Sequence, residues 1–477
     1  MKTTLTMCKR SPSHLLALCL LLLAPVLNAQ TFVPPGPTSG HWDIGGSPYV
    51  VVDNIVVPAG QTLTIDPGVT VLIGSNLTIT ASSSLIQALG TPSQRITFQP
   101  LSSSYYWNSI SLGNAPGTNR FKYCDFANAQ TAISMGVYGA PSVVVTEVMN
   151  CTFTNCATQA IYGESAGTCS PPTLEPIVKN CQFYGGSNGC VFKPFALGCQ
   201  FSVAYPGYLN ARIIGNIFRN LSGTALLMNT TSGSGSSPAV FINNTVVGCR
   251  AGVSATDPWD ARIQDNIFIG NTNAVKILGS LSRAVSYNDF SGNATNFSGL
   301  PGTYGGIIWA NRNGTPADAL FNIYQAPSFL SLNDFHLAPD SLCIDAGTPD
   351  TAYCDLCLSN SPSQGTQFPD LGAYGGPDAC NWLDTVPKLA VTSSVSRSNN
   401  IISLNWGAIP RSQYQVQYST NLVMVGTNNP LHFTNWVNFP NGRVLASEKP
   451  TSLVVTPSAG QTRAFFRIQS LGRPLGN

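Results

Sequence analysis

Seven segments of this chain line up on one short pattern, and that recurrence limits the fold more than any other feature. FKYCDF ends at Phe126, VMNCTF at Phe153, VKNCQF at Phe183, IIGNIF at Phe218, FINNTV at Val246, IQDNIF at Phe268 and VSYNDF at Phe290. The anchors are Cys124, Cys151, Cys181, Asn216, Asn244, Asn266 and Asn288, spaced 27, 30, 35, 28, 22 and 22 residues apart. Three residues before them stand Phe121, Val148, Val178, Ile213, Phe241, Ile263 and Val285, and two after them the terminal Phe or Val, so both columns are apolar throughout. A further apolar position returns at Ala132-Ile133, Ala160-Ile161, Cys190-Val191, Ala225-Leu226, Gly252-Val253 and Ala274-Val275. A short strand, a turn, an aromatic and another short strand make one rung of a solenoid, which buries its inward side chains only against neighbouring rungs. Asn suits the turn because its amide can bond nearby backbone, and Cys can fill the same small site. Extra residues leave the stack as loops, which lengthen at little entropic cost.

Composition agrees and removes other classes. Only 9% of the 477 residues are charged, against about 25% in an ordinary soluble domain. With 44 Gly and 34 Pro, the chain reads as all-β, many short strands joined by turns. No basic surplus exists to neutralise phosphates, so nucleic acid is excluded as a partner. Lys2, Lys9 and Arg10 precede an apolar run from Leu15 to Leu23 that ends before Gln30, the pattern of a secretory signal peptide over residues 1–29. No second apolar stretch of about 20 residues follows, so no membrane span is expected. A secreted or cell-surface monomer is expected. Loss of Cys8 and Cys19 leaves twelve of the fourteen cysteines, an even number for which disulfides are the default in an oxidising compartment.

From Tyr49 to Phe98 the same design continues, with VPAGQTLTIDPGVTV at Val57 to Val71 and LGTPSQRITF at Leu89 to Phe98. These segments, with the N-x-F rows after them, resemble the right-handed parallel β-helix proteins of the pectate-lyase-like superfamily. The resemblance implies a right-handed parallel β-helix over residues 46–335, preceded by a leader at 30–45. It says little about chemistry, because one fold hosts lyases, glycosidases, epimerases and adhesins.

Residues 336–386 are rich in Cys and Asp. Cys343-Ile344-Asp345-Ala346-Gly347 and Asp370-Leu371-Gly372-Ala373-Tyr374-Gly375 resemble the ending that follows many bacterial β-helix domains, in which a glutamate commonly stands where this chain has Gly375. A cap over an open solenoid end is the first reading. Calcium, held by converging carboxylates, is the alternative, although the spacing lacks an EF-hand pattern. Residues 387–477 alternate as IISLNW, YQVQYS, TNWVNF, SLVVT and AFFRIQ, which resembles a small fibronectin-type-III-like β-sandwich module.

Candidate chemistry is sparse. Gly163-Glu164-Ser165-Ala166-Gly167 matches a nucleophile elbow by spelling, but Thr168 to Pro172 cannot begin the helix that elbow requires; it reads as a loop leaving a rung. The column four residues before each anchor, Arg120, Glu147, Ile177, Arg212, Val240, Arg262 and Ala284, should face outward. Arg212 and Arg262 stand two rungs apart, about 9.6 Å at ~4.8 Å per rung, a spacing suited to clamping an anionic sugar chain. Asp257, Asp260, Asp265 and Lys276 lie near Arg262 and complete the candidate cleft of a protein that acts on extracellular polysaccharide as a lyase-like enzyme or binds it or a cell-surface glycan. The alternative is a non-catalytic scaffold in which charges are scattered for solubility, Arg120 pairs with Glu147, and loops such as 230–238 are displayed.

Overall fold

The computed structural model describes residues 30–382, apart from 116, 139–142, 168–172, 197–207, 230–238, 258–259, 280, 282 and 356–361, together with the backbone of strands beyond residue 393. The fold is a right-handed parallel β-helix of three long parallel sheets. The first sheet stacks eleven strands from Thr31–Val33 to Asp289–Ser291, the second eleven from Gly36–Pro37 to Thr295–Ser298, and the third runs from Gly40–Trp42 to Val285–Ser286. Each strand pairs with the equivalent strand one coil away, never with its chain neighbour. Residues 30–45, expected as a leader, instead form the first coil: Thr31 pairs with Tyr49, Gly36 with Ile55 and Gly40 with Leu63. The expected signal peptide and the loop at 230–238 lie outside the described residues.

Register places like residues over one another. Phe98, Phe126, Phe153, Phe183 and Phe218 are consecutive partners in the first sheet, and their rings stack at 4.9, 4.8, 4.9 and 4.5 Å between centroids, the separation offset-stacked rings prefer. Where Val246 interrupts the column, Phe241 of the third sheet fills the gap, 5.9 Å from Phe218 and 6.2 Å from Phe268. In the second sheet the inward column is Ile133, Ile161, Cys190, Leu226, Val253 and Val275. Cys190 therefore takes the inward seat, and Val191 the outward one, of a pair whose order the sequence left open. Gly163 sits between Met135 and Phe192; a Cβ there would stand 2.8 Å from the Phe192 ring. The segment Gly163 to Gly167 is thus part of strand Gln159–Gly167, not a loop, because its alternation continues the stack.

The anchors form one continuous ladder. Each anchor's backbone N–H donates to the side chain of the next: Cys124 to Cys151 Sγ and Cys151 to Cys181 Sγ at 3.4 Å, Cys181 to Asn216 Oδ1 at 2.9 Å, then Asn216 to Asn244, Asn244 to Asn266, Asn266 to Asn288 and Asn288 to Asn322 at 2.8–3.0 Å. Each side chain also donates back, Asn244 Nδ2 to Ile213 O at 2.9 Å and Cys181 Sγ to Val148 O at 3.4 Å. Thiol and amide make the same pair of bonds. The disulfide expectation fails for these residues: Cys124, Cys151, Cys156, Cys181, Cys190, Cys249, Cys343 and Cys354 are free, and among the described cysteines Cys380 alone is disulfide-bonded.

Beyond the coils, backbone strands form two three-stranded antiparallel sheets, Ser394–Ser398 with Ile401–Trp406 and Thr451–Val455, and Val437–Leu445 with Gln413–Ser419 and Phe465–Gly472. Antiparallel strands thus occupy the stretch where a small β-sandwich is expected.

Candidate functional site

Two columns of left-handed residues bracket the strands of the first sheet from Cys124–Ala127 to Asp289–Ser291. Before the anchors stand Tyr123, Asn150, Asn180, Gly215, Asn243, Asp265, Tyr287 and Phe321, all with φ between 51° and 67°. Four residues after the anchors stand Asn128, Asn155, Gly185, Asn220, Gly248, Gly270 and Gly292, with φ between 52° and 65°. Gly, Asn and Asp accept this conformation; bulky side chains are strained in it. Tyr287 and Phe321 are explained by their own stacking at 5.1 Å. Tyr123 has no such stacked partner within its column and lies at the site described next.

The segment 370–382 runs back along the first of these columns. Asn243 Nδ2 donates to Asp370 O at 2.9 Å, Gly372 N to Asp265 O at 2.8 Å, Asn180 Nδ2 to Asp378 O at 3.2 Å and Asn150 Nδ2 to Asn381 O at 2.8 Å. This strap covers the outward side chains of the first sheet. Ile267 is buried with Ala317, Ile323, Leu337, Ile344 and Leu371, and Ile217 with Phe335, Ala373, Tyr374 and Trp382. Gly375 is required, since a Cβ there would stand 2.0 Å from Asp370 O; the glutamate common in similar endings has no room. The strap's carboxylates hold backbone. Asp370 accepts from Asp345 N at 2.9 Å and Gln364 N at 2.6 Å, Asp345 from Thr366 N at 2.9 Å, and Asp355 from Gly376 N at 2.5 Å. Burial pushes the Asp355 carboxyl up, with Asp370 adding to the shift. Among the described residues no three His, Cys, Asp or Glu side chains gather to hold a metal, so the calcium alternative finds no ligand set there.

Beside Trp382 the outer face of the first sheet carries polar side chains. The outward column Asp125, Thr152, Gln182, Ile217, Thr245, Ile267, Asp289 is polar in its first three members and covered from Ile217 onward. A cavity of about 220 Å³ lies at this boundary, lined by Pro92, Arg95, Tyr123, Asn150, Thr152, Asn180, Gln182 and Trp382. Arg95 crosses its floor. Nε and Nη2 donate to the Asp125 carboxylate at 2.7–2.9 Å, and Nη2 reaches Thr152 Oγ1 at 3.2 Å. The Arg95 guanidinium also lies 6.0 Å from the Tyr123 ring, whose phenol is pushed up by burial. Gln182 is fixed by a 2.5 Å bond from Tyr184 Oη, and Lys179 by Asp378 at 2.9 Å. The volume falls below the roughly 300–1,000 Å³ of drug-sized pockets, so the cavity suits one small polar unit.

The six residues chosen from sequence do not gather into one cleft. The outward column holds its register, with Arg120 opposite Glu147, Ile177 opposite Arg212, and Val240 between Arg212 and Arg262. Arg120 pairs with Glu147 at 2.8 Å. Arg262 donates to Tyr353 Oη at 2.6 Å and packs on its ring, covered by the cap. Asp260 pairs with Arg283 at 2.6 Å. Asp265 is fully buried in its turn, accepts from Thr348 N at 2.8 Å, and burial pushes its carboxyl up to about 8. Asp257 lies beside Gly279, at the end of the second-sheet strand. Lys276 projects from the second sheet, opposite Ser254 and Ser298. Arg95, Tyr123, Asp125, Gln182 and Trp382 were missed. The available signal was Tyr123, a bulky residue ahead of a run written Asn, Asn, Gly, Asn, Asp, in a column that turns bulky again at Tyr287 and Phe321.

Residues 179–313 match the family model described as "Periplasmic copper-binding protein (NosD)". The match spans well under half of the chain. No curated protein matches.

Proposed function

We propose that this is an exported β-helix protein that binds an extracellular glycan on the open part of the first sheet's outer face. The observation that carries the reading is the change along the outer face of the first sheet: residues 370–382 cover it with apolar contacts from Ile217 onward, and a polar cavity lies beside Trp382. Tyrosine, tryptophan, amides and an arginine are the groups that contact and hydrogen-bond a sugar ring. Export is supported by the N-terminal basic and apolar pattern and by similarity to a periplasmic family. Binding is favoured over cleavage because Asp125 and Asp378 are each held in an ion pair, at 2.7 and 2.9 Å, whereas glycosidic cleavage uses one protonated and one free carboxyl.

The copper of the similar family's name does not fit here. The matched span contains no His. Its described cysteines, Cys181, Cys190 and Cys249, are buried and free; Cys181 serves the ladder, and burial pushes Cys249 up to about 12. Copper ligands must be deprotonated and convergent. A spacer role finds support on the third sheet, where Arg120 and Glu147 neutralise one another.

Tyr123→Asn tests the binding reading. Asn is at home at φ 51°, so the melting temperature should hold or rise. Binding to a glycan found on an array should weaken about tenfold, some 1.4 kcal/mol. Unchanged binding would place the glycan elsewhere.

A further inference from the structure

Resting on the glycan reading, we infer that the cavity selects an uncharged, hydroxyl-bearing sugar unit, because Asp125 occupies its one cation. Arg95 is the one cation among the cavity's lining residues, and its charge is already committed. Two of its nitrogens grip the Asp125 carboxylate at 2.7–2.9 Å. Asp125 stands next to Thr152 in the outward column, outside the lining, and its carboxylate takes up the arginine's charge. Lys179 is committed to Asp378 at 2.9 Å. Lys122 stands over the Tyr123 ring at 5.5 Å and is not part of the lining.

With its cation paired, the cavity offers a ligand hydrogen bonds rather than charge. Sugar hydroxyls supply donors. The carboxylate of a uronate supplies acceptors and a negative charge, which finds Arg95 occupied. The remaining lining groups, Thr152, Gln182, Asn150 and Tyr123, are neutral and both give and take hydrogen bonds. A neutral unit can satisfy all of them.

The test is calorimetric titration of the full exported chain with neutral oligosaccharides and with uronate oligosaccharides of matched length and linkage. Neutral ligands should bind at least about tenfold more tightly. Asp125→Asn frees Arg95, so uronate affinity should rise about tenfold. Asp125→Ser should behave alike, and circular dichroism confirms that both variants remain β-helical. Uronates binding wild type as well as neutral ligands do, or a preference untouched in both folded variants, overturns the selectivity while leaving glycan binding intact. Failure of both ligand classes to bind wild type overturns the glycan reading and the selectivity with it.

Discussion

Asn244 shows how much one turn residue carries. Its Oδ1 accepts from Asn216 N at 2.9 Å and Asn216 Nδ2 at 3.0 Å, and its Nδ2 donates to Ile213 O at 2.9 Å and Ile242 O at 3.1 Å. All of this is buried. Asn244→Ala leaves donors and acceptors without partners, each costing about 1–3 kcal/mol. A urea titration should therefore show a loss of about 2–4 kcal/mol, and a loss under 1 kcal/mol would mean that the ladder adds little. The alternation of Cys and Asn at the anchors was legible because both types recurred at one position. The left-handed columns were legible only in part: Asn150, Asn180, Asn243 and Asp265 advertise them, whereas Tyr123 hides the column, since its identity is set by what it faces and not by its backbone.

At the level of elements, the strap is where sequence and structure diverge most. The strands could be read because apolar residues alternate along them. The path of residues 370–382 could not, because it is fixed by carbonyls meeting turn amides more than a hundred residues away, as between Asn243 and Asp370. For the same reason the six charged candidates dispersed: Arg262 was expected in the open and is covered by Tyr353. The segments after the last coil also bury two carboxyls of the solenoid, Asp265 against Thr348 and Asp289 against Gln325 and Cys343. Burial pushes Asp265 and Asp289 each up to about 8, against an ordinary value near 4. The folded state then holds protons that the unfolded state has released, so stability is fully present below about pH 4 and falls as pH rises toward 8. Asp265→Asn and Asp289→Asn should flatten that decline and stabilise the protein at pH 8 by about 1–3 kcal/mol each. Thermal melts from pH 4 to 9 decide it; an unchanged slope would show that the buried groups stay ionised.

For the whole molecule, stability is a sum of neighbouring coils plus their covers. Ending the chain at residue 309 would uncover Ile217 and Ile267, now buried beneath the strap. The coils should still give a β-rich spectrum, but the bared stripe should drive association. Sedimentation of the shortened chain against the full one measures this, and a monodisperse short form would refute it. The uneven coil lengths point elsewhere. The three-residue strand Ile267–Ile269 and its neighbours recur at 22-residue intervals, and each coil hands its successor the same two bonds that it took from its predecessor. A duplicated or deleted coil would leave no mismatched seam, so lineages could stretch or shorten this rod by whole coils while the reading face at Arg95 and Trp382 kept its shape.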